Sequence, residues 1–404
     1  MVSTTSVDKA DRTGARAEPA RTAADACVVE IHDDIEAVAG EWRRLEAEGA
    51  ATPFQTMAWA RKLYGMLAPR MGARPVIALV RDRPGGTPLM LLPLCARRIY
   101  GFRVLEFADL GVSDYNAPIL APTFNPSAAQ WRGVSRRIVA ALAARGAVLR
   151  LTKMPRLIRG SVNPLVAFDP AAEPMEFSAW CVALPTTSAE FWKRPLDPSF
   201  ARELAKKFRR VAKHGAIEYA IANTPEEKRV AFEILTRQRQ SRFEEMGRRT
   251  NALAQEDGRR FYQAMAMDQA EPQAKLAVLK VGDEIVGTLF ALARNKVFHV
   301  IMSTFEGGEW KSCSLGNVLL QSAIEHCIDG GFTGFDLTIG DEGYKQKFGA
   351  RPSPLYASWL PLSPAGAAFV LAARSVARIK RIWTRSKCPE RRPGAASHQE
   401  ESRK

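Results

Sequence analysis

No C-x-x-C pair occurs in this 404-residue sequence, and its six cysteines stand singly. None has a histidine at metal-ligand spacing, so a zinc framework is not expected. Unpaired thiols of this kind suit a reducing compartment. Residues 1–26 lack the apolar core of a secretory leader and read as a disordered tail. The longest uncharged run, 352–373, could span a bilayer by length, but Pro354, Pro361 and Pro364 interrupt it, so no transmembrane helix is expected there. A glycine-rich first turn and repeated βαβ units are both missing, which argues against a dinucleotide-binding sheet. Helix-turn-helix, zinc and RNP-type motifs are also missing, which argues against a nucleic-acid regulator.

What is present is an ordinary globular composition: 46% hydrophobic and 25% charged residues, with 28 Gly and 25 Pro. Lys and Arg number 58 against 43 Asp and Glu, a net +15 that favours anionic partners. Residues 366–404 carry ten of those cations against three acids, so close to half of the excess sits at one end.

Apolar spacing places helices around Trp42 and Leu45 and around Trp59, Leu63 and Leu67. Strands follow at 75–80, 89–99 and 102–107, with a turn at 83–86 between the first two. Asn125-Pro126 opens a helix striped by Trp131, Val134, Ile138 and Leu142, which Gly146 stops before a strand at 147–151. The same order returns about 200 residues later. Helices at 225–246 and 253–268 precede strands at 276–281, 285–293 and 297–302. A helix striped by Leu315, Val318, Leu319, Ala323 and Cys327 ends at Gly330-Gly331, and a strand at 334–339 follows it. The chain therefore reads as a duplicated α/β (α+β) unit, each copy a mixed, mostly antiparallel sheet flanked by helices. The expected division is a tail at 1–26, units at 27–185 and 186–362, and a basic amphipathic helix and tail at 363–404. A connecting helix at 198–213 opens the second unit.

This order resembles the GNAT acyltransferase fold, and the tandem pair resembles the Fem-type branch. Pro53-Phe54-Gln55-Thr56 with Trp59, Leu92-Pro93-Leu94 and Ser113-Asp114-Tyr115 resemble the BioF2-like/CelD acetyltransferases of cellulose and exopolysaccharide production. So do Leu315-Gly316, Phe335-Asp336 with Gly340, and Tyr344-Lys345 before Phe348-Gly349. The likeness spans roughly 30–360 and is most specific at Gly340-Asp341-x-x-Tyr344-Lys345-x-x-Phe348-Gly349. It departs where Leu315 stands in place of the family's frequent proline, and the GNAT Q/R-x-x-G-x-G/A loop is not literally present.

The resemblance implies acetyl-CoA or another acyl-CoA as co-substrate, no metal, and transfer to a sugar hydroxyl or an amine of a small-molecule or saccharide acceptor. The pyrophosphate would lie at the helix start formed by Lys311, Ser312, Ser314, Gly316 and Asn317, where free N–H groups and the helix dipole favour anions. There Ser314 would cap the helix and Gly316 would admit the phosphate. Acyl transfer needs a base for the acceptor and an acid for the leaving thiolate. Asp336, Asp114 and Asp341 are rival bases, Tyr344 is the acid, and Lys345, Tyr115 and Trp59 are acceptor contacts. The histidines read as structural.

Two basic features remain open in the sequence. The helix at 202–213 is either a solvated face or a phosphate-binding wall, and the terminal helix at 366–385 either docks on the body or lies on an anionic membrane. The resemblance implies a cytoplasmic enzyme with a peripheral place at the inner membrane. The alternatives are a Fem-like transferase using aminoacyl-tRNA and a non-catalytic scaffold of a polysaccharide synthase.

Overall fold

The computed structural model describes residues 27–194, 198–247, 253, 255–270 and 272–387, with side chains of the last helix described as far as Ser375. The tail expected at 1–26, and residues 388–404 of the helix and tail expected at 363–404, lie outside the described residues. So do the side chains of Val376, Ile379 and Trp383 on the terminal helix, which was expected either to dock on the body or to lie on a membrane.

The first half runs β1 (Val28–His32), α1 (Ala39–Glu48), α2 (Met57–Lys62), β2 (Arg74–Arg81), β3 (Pro88–Ile99) and β4 (Phe102–Phe107). It continues with β5 (Ile119–Leu120), α3 (Ala128–Ala143) and β6 (Val148–Pro155). A small hairpin of β7 (Leu157–Ile158) and β8 (Ser161–Val162), then α4 (Pro164–Ala167) and β9 (Glu173–Ala183), lead out of it. The second half runs α5 (Ser188–Trp192), α6 (Pro198–Val211), β10 (Ile217–Ile221), α7 (Pro225–Glu245), α8 (Glu256–Met267), β11 (Gln273–Val281) and β12 (Glu284–Arg294). Next come β13 (Val297–Phe305), α9 (Leu315–Asp329), β14 (Gly334–Ile339), α10 (Tyr344–Lys347), β15 (Arg351–Pro361) and α11 (Pro364–Lys387).

Local chemistry sets these boundaries. Helix α3 buries its expected stripe of Trp131, Val134, Ile138 and Leu142. Its start lies just beyond Asn125-Pro126, because Ser127 accepts from the Gln130 N–H while the Gln130 side chain accepts from the Ser127 N–H. Thr224 and Glu227 close the same reciprocal cap on α7, with Pro225 in its first turn.

Twelve strands form one continuous path in the order β1-β2-β3-β4-β6-β15-β9-β14-β13-β12-β11-β10. In each half a run of antiparallel strands ends in a parallel pair joined by a helix: β4 with β6 through α3, and β13 with β14 through α9. The architecture is thus a tandem repeat of one α/β unit, reversed in strand direction and in order along the sheet. That two-fold relation, with right-handed crossovers, puts α3 and α9 on the same face. The join between halves was not legible in the sequence. Strand β9 leaves the first half to pair with β14, and β15 leaves the second to pair with β6. β15 carries Pro352 and Pro354, yet β6 pairs with it only from Leu355 onward, so the missing N–H groups break no ladder bond on that side.

One hydrophobic core draws on both halves, including Trp59, Leu63 and Met90 from the first and Phe261, Met265 and Phe290 from the second. The buried Arg294 guanidinium crosses to Glu46 at 2.8 Å. At the far edge of β6 the start of α11 docks on the body: Val370 packs with Val104 and Val148, and the Phe369 ring lies 4.8 Å from that of Phe102. The helix comes so close that a Cβ on Gly366 would collide with the Ala147 carbonyl oxygen. Gly366→Ala is therefore expected to lower stability by about 1–3 kcal/mol in chemical denaturation.

Candidate active site

The parallel strands β13 and β14 pair only at Val297–Gly334, Phe298–Phe335 and His299–Asp336, although both run on. A bulge beside Val300 shifts β13 against β12, and Thr338 bends β14 with a φ of +53° while its hydroxyl donates to the Val300 carbonyl at 3.0 Å. A left-handed β-branched residue is strained, so this bend is held by its surroundings. Beyond it the two strands part, leaving backbone edges that an extended, amide-bearing chain can pair with.

At the last paired rung, Asp336 gathers the site. Its Oδ1 accepts from the Tyr115 hydroxyl at 2.7 Å and from the Thr338 N–H at 2.8 Å, and its Oδ2 faces His299 Nδ1 at 3.0 Å. All three side chains are buried. A carboxylate at Nδ1 selects the tautomer with the proton there, so Nε2 is left as the acceptor that can take a proton from a nucleophile. Burial first and the Asp336 charge second push the Tyr115 hydroxyl well above its ordinary pKa, which keeps it a donor to the carboxylate. A cavity of about 290 Å³ lies over this group. Tyr115, His299 and Asp336 line it, together with Thr52, Cys181 and Arg294.

Histidine 299 was set aside as structural from the sequence. Its partner lies 37 residues away and meets it only across the parallel rung, so no local spacing could reveal it. The internal repeat supplies a contrast. The matching rung of the first half carries Glu106 and Arg150. There Arg150 and Arg97 both pair with Glu106, and Arg150 stacks on Trp359 at 5.5 Å. That rung is closed by an ion pair, whereas the second offers a histidine.

Asp114 stands next to this group. Burial raises its pKa to about 6, with the Lys153 charge and a hydrogen bond to Thr338 opposing. A carboxyl raised in the native state binds its proton there more strongly than in the unfolded chain. Its contribution to stability is therefore largest at low pH and is lost as pH climbs from the unfolded value near 3.8 through about 6. Asp114→Asn is expected to flatten the fall in melting temperature across that window.

Lys345, Trp59, Asp341 and Ser314 also depart from the sequence expectations. Lys345, expected to hold the acceptor, is 2% exposed, and its ammonium donates to the Ile339 and Gly340 carbonyls at 2.9 Å while pairing with Glu342 at 3.0 Å. It fastens the end of the bent strand. Trp59, also expected at the acceptor, is wholly buried, with Nε1 on the Ser113 hydroxyl and its ring edge-on to Phe261. The Asp341 carboxylate, a rival base, accepts from the Ser178 N–H and Trp180 Nε1 and so ties its loop to β9. Ser314, expected to cap α9, has φ +54° and makes no side-chain cap.

The helix start itself is built from the expected residues. A short turn over Gly308–Cys313 carries Lys311 and Ser312 into Ser314, whose carbonyl accepts from the Asn317 N–H at 2.9 Å. Lys207 of α6 donates to the Ser312 carbonyl at 3.1 Å, so the basic helix lies against this end of α9. The space that a Gly316 side chain would need is filled by the Phe305 ring, 2.6 Å from an added Cβ, where the sequence suggested a phosphate. Arg242 stacks on that ring at 4.4 Å. Tyr344 lies in the same neighbourhood. Burial raises its pKa to about 12, with Glu342 adding and Arg242 opposing, so it holds its proton at neutral pH.

Among the described residues no cluster of His, Cys, Asp and Glu could hold a metal ion, and no helix is long and apolar enough to cross a membrane.

Known proteins give the arrangement a context. The chain has the fold of FemX at 8% identity and a TM-score of 0.54, covering 82% of this chain and 97% of that one. A conserved protein of unknown function from Bacteroides thetaiotaomicron is alike at 9% identity and a TM-score of 0.53, covering 82% and 100%. A DUF2156 domain from Agrobacterium fabrum is alike at 12% identity and a TM-score of 0.50, covering 85% and 97%. No curated protein matches significantly. Residues 198–346, which hold the parting strands, the helix start, His299 and Asp336, match the model of an acetyltransferase (GNAT) domain.

Proposed function

We propose that the chain is an acyl-CoA-dependent acyltransferase whose reaction centre is the His299–Asp336 pair beside the parting of β13 and β14. The observation that carries this reading is the buried pair itself, lining a cavity at the last paired rung of those strands. The donor's pyrophosphate would take the N-terminal end of α9, near Lys207 and Lys311, and its extended amide chain would run along the free strand edges. His299 Nε2 removes the proton of the acceptor amine or hydroxyl. Asp336, held by Tyr115 and the Thr338 N–H, orients the imidazole and steadies its charge. Tyr344 supplies the proton for the departing thiolate. The acceptor is a small molecule or saccharide, with a link to cellulose or other envelope polysaccharide implied by the family resemblance. The test is release of free thiol from acetyl-CoA against a panel of amino sugars, amines and sugars. Acceptor-dependent release is expected, and no release with any member would contradict the reading.

A second donor, aminoacyl-tRNA, is favoured by one observation: Arg202, Lys206, Arg209, Arg210 and Lys213 are exposed along α6 and the residues just after it, beside the α9 start. That reading requires tRNA binding that weakens steeply with salt. Retention of full phenotype by His299 and Asp336 variants would instead point to a scaffold.

A further inference from the structure

A cavity of about 940 Å³ lies away from this centre, between α3 and the sheet. Leu149 and Leu151 form its floor, while the alternate residue Arg150 points to the opposite face, toward Trp359. Its other walls include Leu92, Trp131, Ile138 and Leu165.

The internal two-fold shows what the place is for in the other half. There α6 packs along α9, and its Phe200 meets Phe348, just after α10, at 5.1 Å. The corresponding elements of the first half are α3 and α4, the two that flank the cavity. Helix α6 precedes β10, whereas the described residues before β1 include no counterpart of that helix.

The shape and charge of the cleft select an occupant. Its floor is withdrawn from water, with Leu92 and Leu151 each 1% exposed and Leu149 2%, while Val139, Phe168 and Leu360 higher in the walls are half-buried. A groove awaiting a helix would present these side chains openly, whereas a thin polymethylene chain can enter between them. At the rim, Arg132 and Arg136 stand one turn apart on α3, both exposed and without an ion pair among the described residues. Arg136 Nε reaches only the Arg132 carbonyl. The lone acid of the lining, Asp169, has its oxygens on the Ala171 N–H and the Ser358 hydroxyl. We propose that this cleft binds a single long acyl chain with an anionic head, the chain between α3 and the sheet and the head at Arg132 and Arg136. A fatty acid and a monoacyl phospholipid share this chemistry.

Displacement of fluorescent cis-parinaric acid from the full-length protein tests the assignment. Palmitate or palmitoyl lysophosphatidate should displace it at micromolar concentration, and the tighter of the two names the source. Hexadecanol should be about tenfold weaker, a difference that the Arg132→Ala, Arg136→Ala double variant should remove. Ala143→Trp, which puts an indole in the mouth, should abolish binding without changing the melting temperature. Acyl transfer should be unaffected in both variants, since His299 and Asp336 point to the opposite face of the sheet and the start of α9 belongs to the other half. Failure of both lipids to displace the probe, or displacement equal in wild type and both variants, would overturn the proposal.

Discussion

Replacing His299 with alanine is expected to lower kcat about 100- to 10,000-fold, the usual contribution of a positioned base, with little change in the affinity for the acyl donor. Asp336→Asn should fall in the same range. The amide keeps the volume but can present its NH₂ to Nδ1, which forces the other tautomer and leaves Nε2 carrying the proton. Tyr115→Phe is predicted to be milder, because the Asp336 carboxylate keeps the Thr338 N–H and His299 after the phenol is gone. These residues act as one unit, so the double variant His299→Ala, Asp336→Asn should be scarcely slower than the worse single one. Steady-state kinetics with a working acceptor checks all four. A loss expressed wholly in KM would place the pair in binding rather than in proton transfer.

The second large effect is on stability. Lys345→Met should destabilise the fold by about 3 kcal/mol or more in chemical denaturation, because methionine fills the space but offers nothing to the Ile339 and Gly340 carbonyls. These carbonyls belong to the end of β14, three and four residues past Asp336. Loosening them should also disturb the Thr338 bend and hence the parting of the strands. Activity at temperatures well below the melting point is therefore expected to fall too. Lys345→Arg, which keeps the charge but not the compact ammonium, should recover only part of the stability. A fully stable Lys345→Met protein would contradict the role assigned to this residue.

Both effects bear on how much could be read from the sequence. Strands 102–107 and 334–339 were legible to the residue, because each is a short apolar run closed by glycine or turn signals. The repeat was legible from the order of elements. The exchange of β9 and β15 was not, since pairing partners more than 100 residues apart leave no periodic trace, and no strand was expected at 173–183 or 351–361. The same limit applies to the site. Asp336 and Tyr115 stood out through motif position. Their bond to each other, and His299 with it, arises only when 221 residues of intervening chain fold into one sheet. Lys345 and Trp59 failed the other way: polar and aromatic residues in motifs resembling a transferase family suggested contact with substrate, while their burial and hydrogen bonds give them to the framework.

The central claim is that an acyl-CoA reaches the parting of β13 and β14 from the start of α9. Calorimetric titration with acetyl-CoA tests it most directly, using wild type, Gly316→Asp and Asp336→Asn. The aspartate would displace the Phe305 ring and put a negative charge at the helix start. Micromolar binding in wild type, kept in Asp336→Asn and lost in Gly316→Asp, is the predicted result. Absence of binding in wild type, or equal binding in all three proteins, would contradict the account.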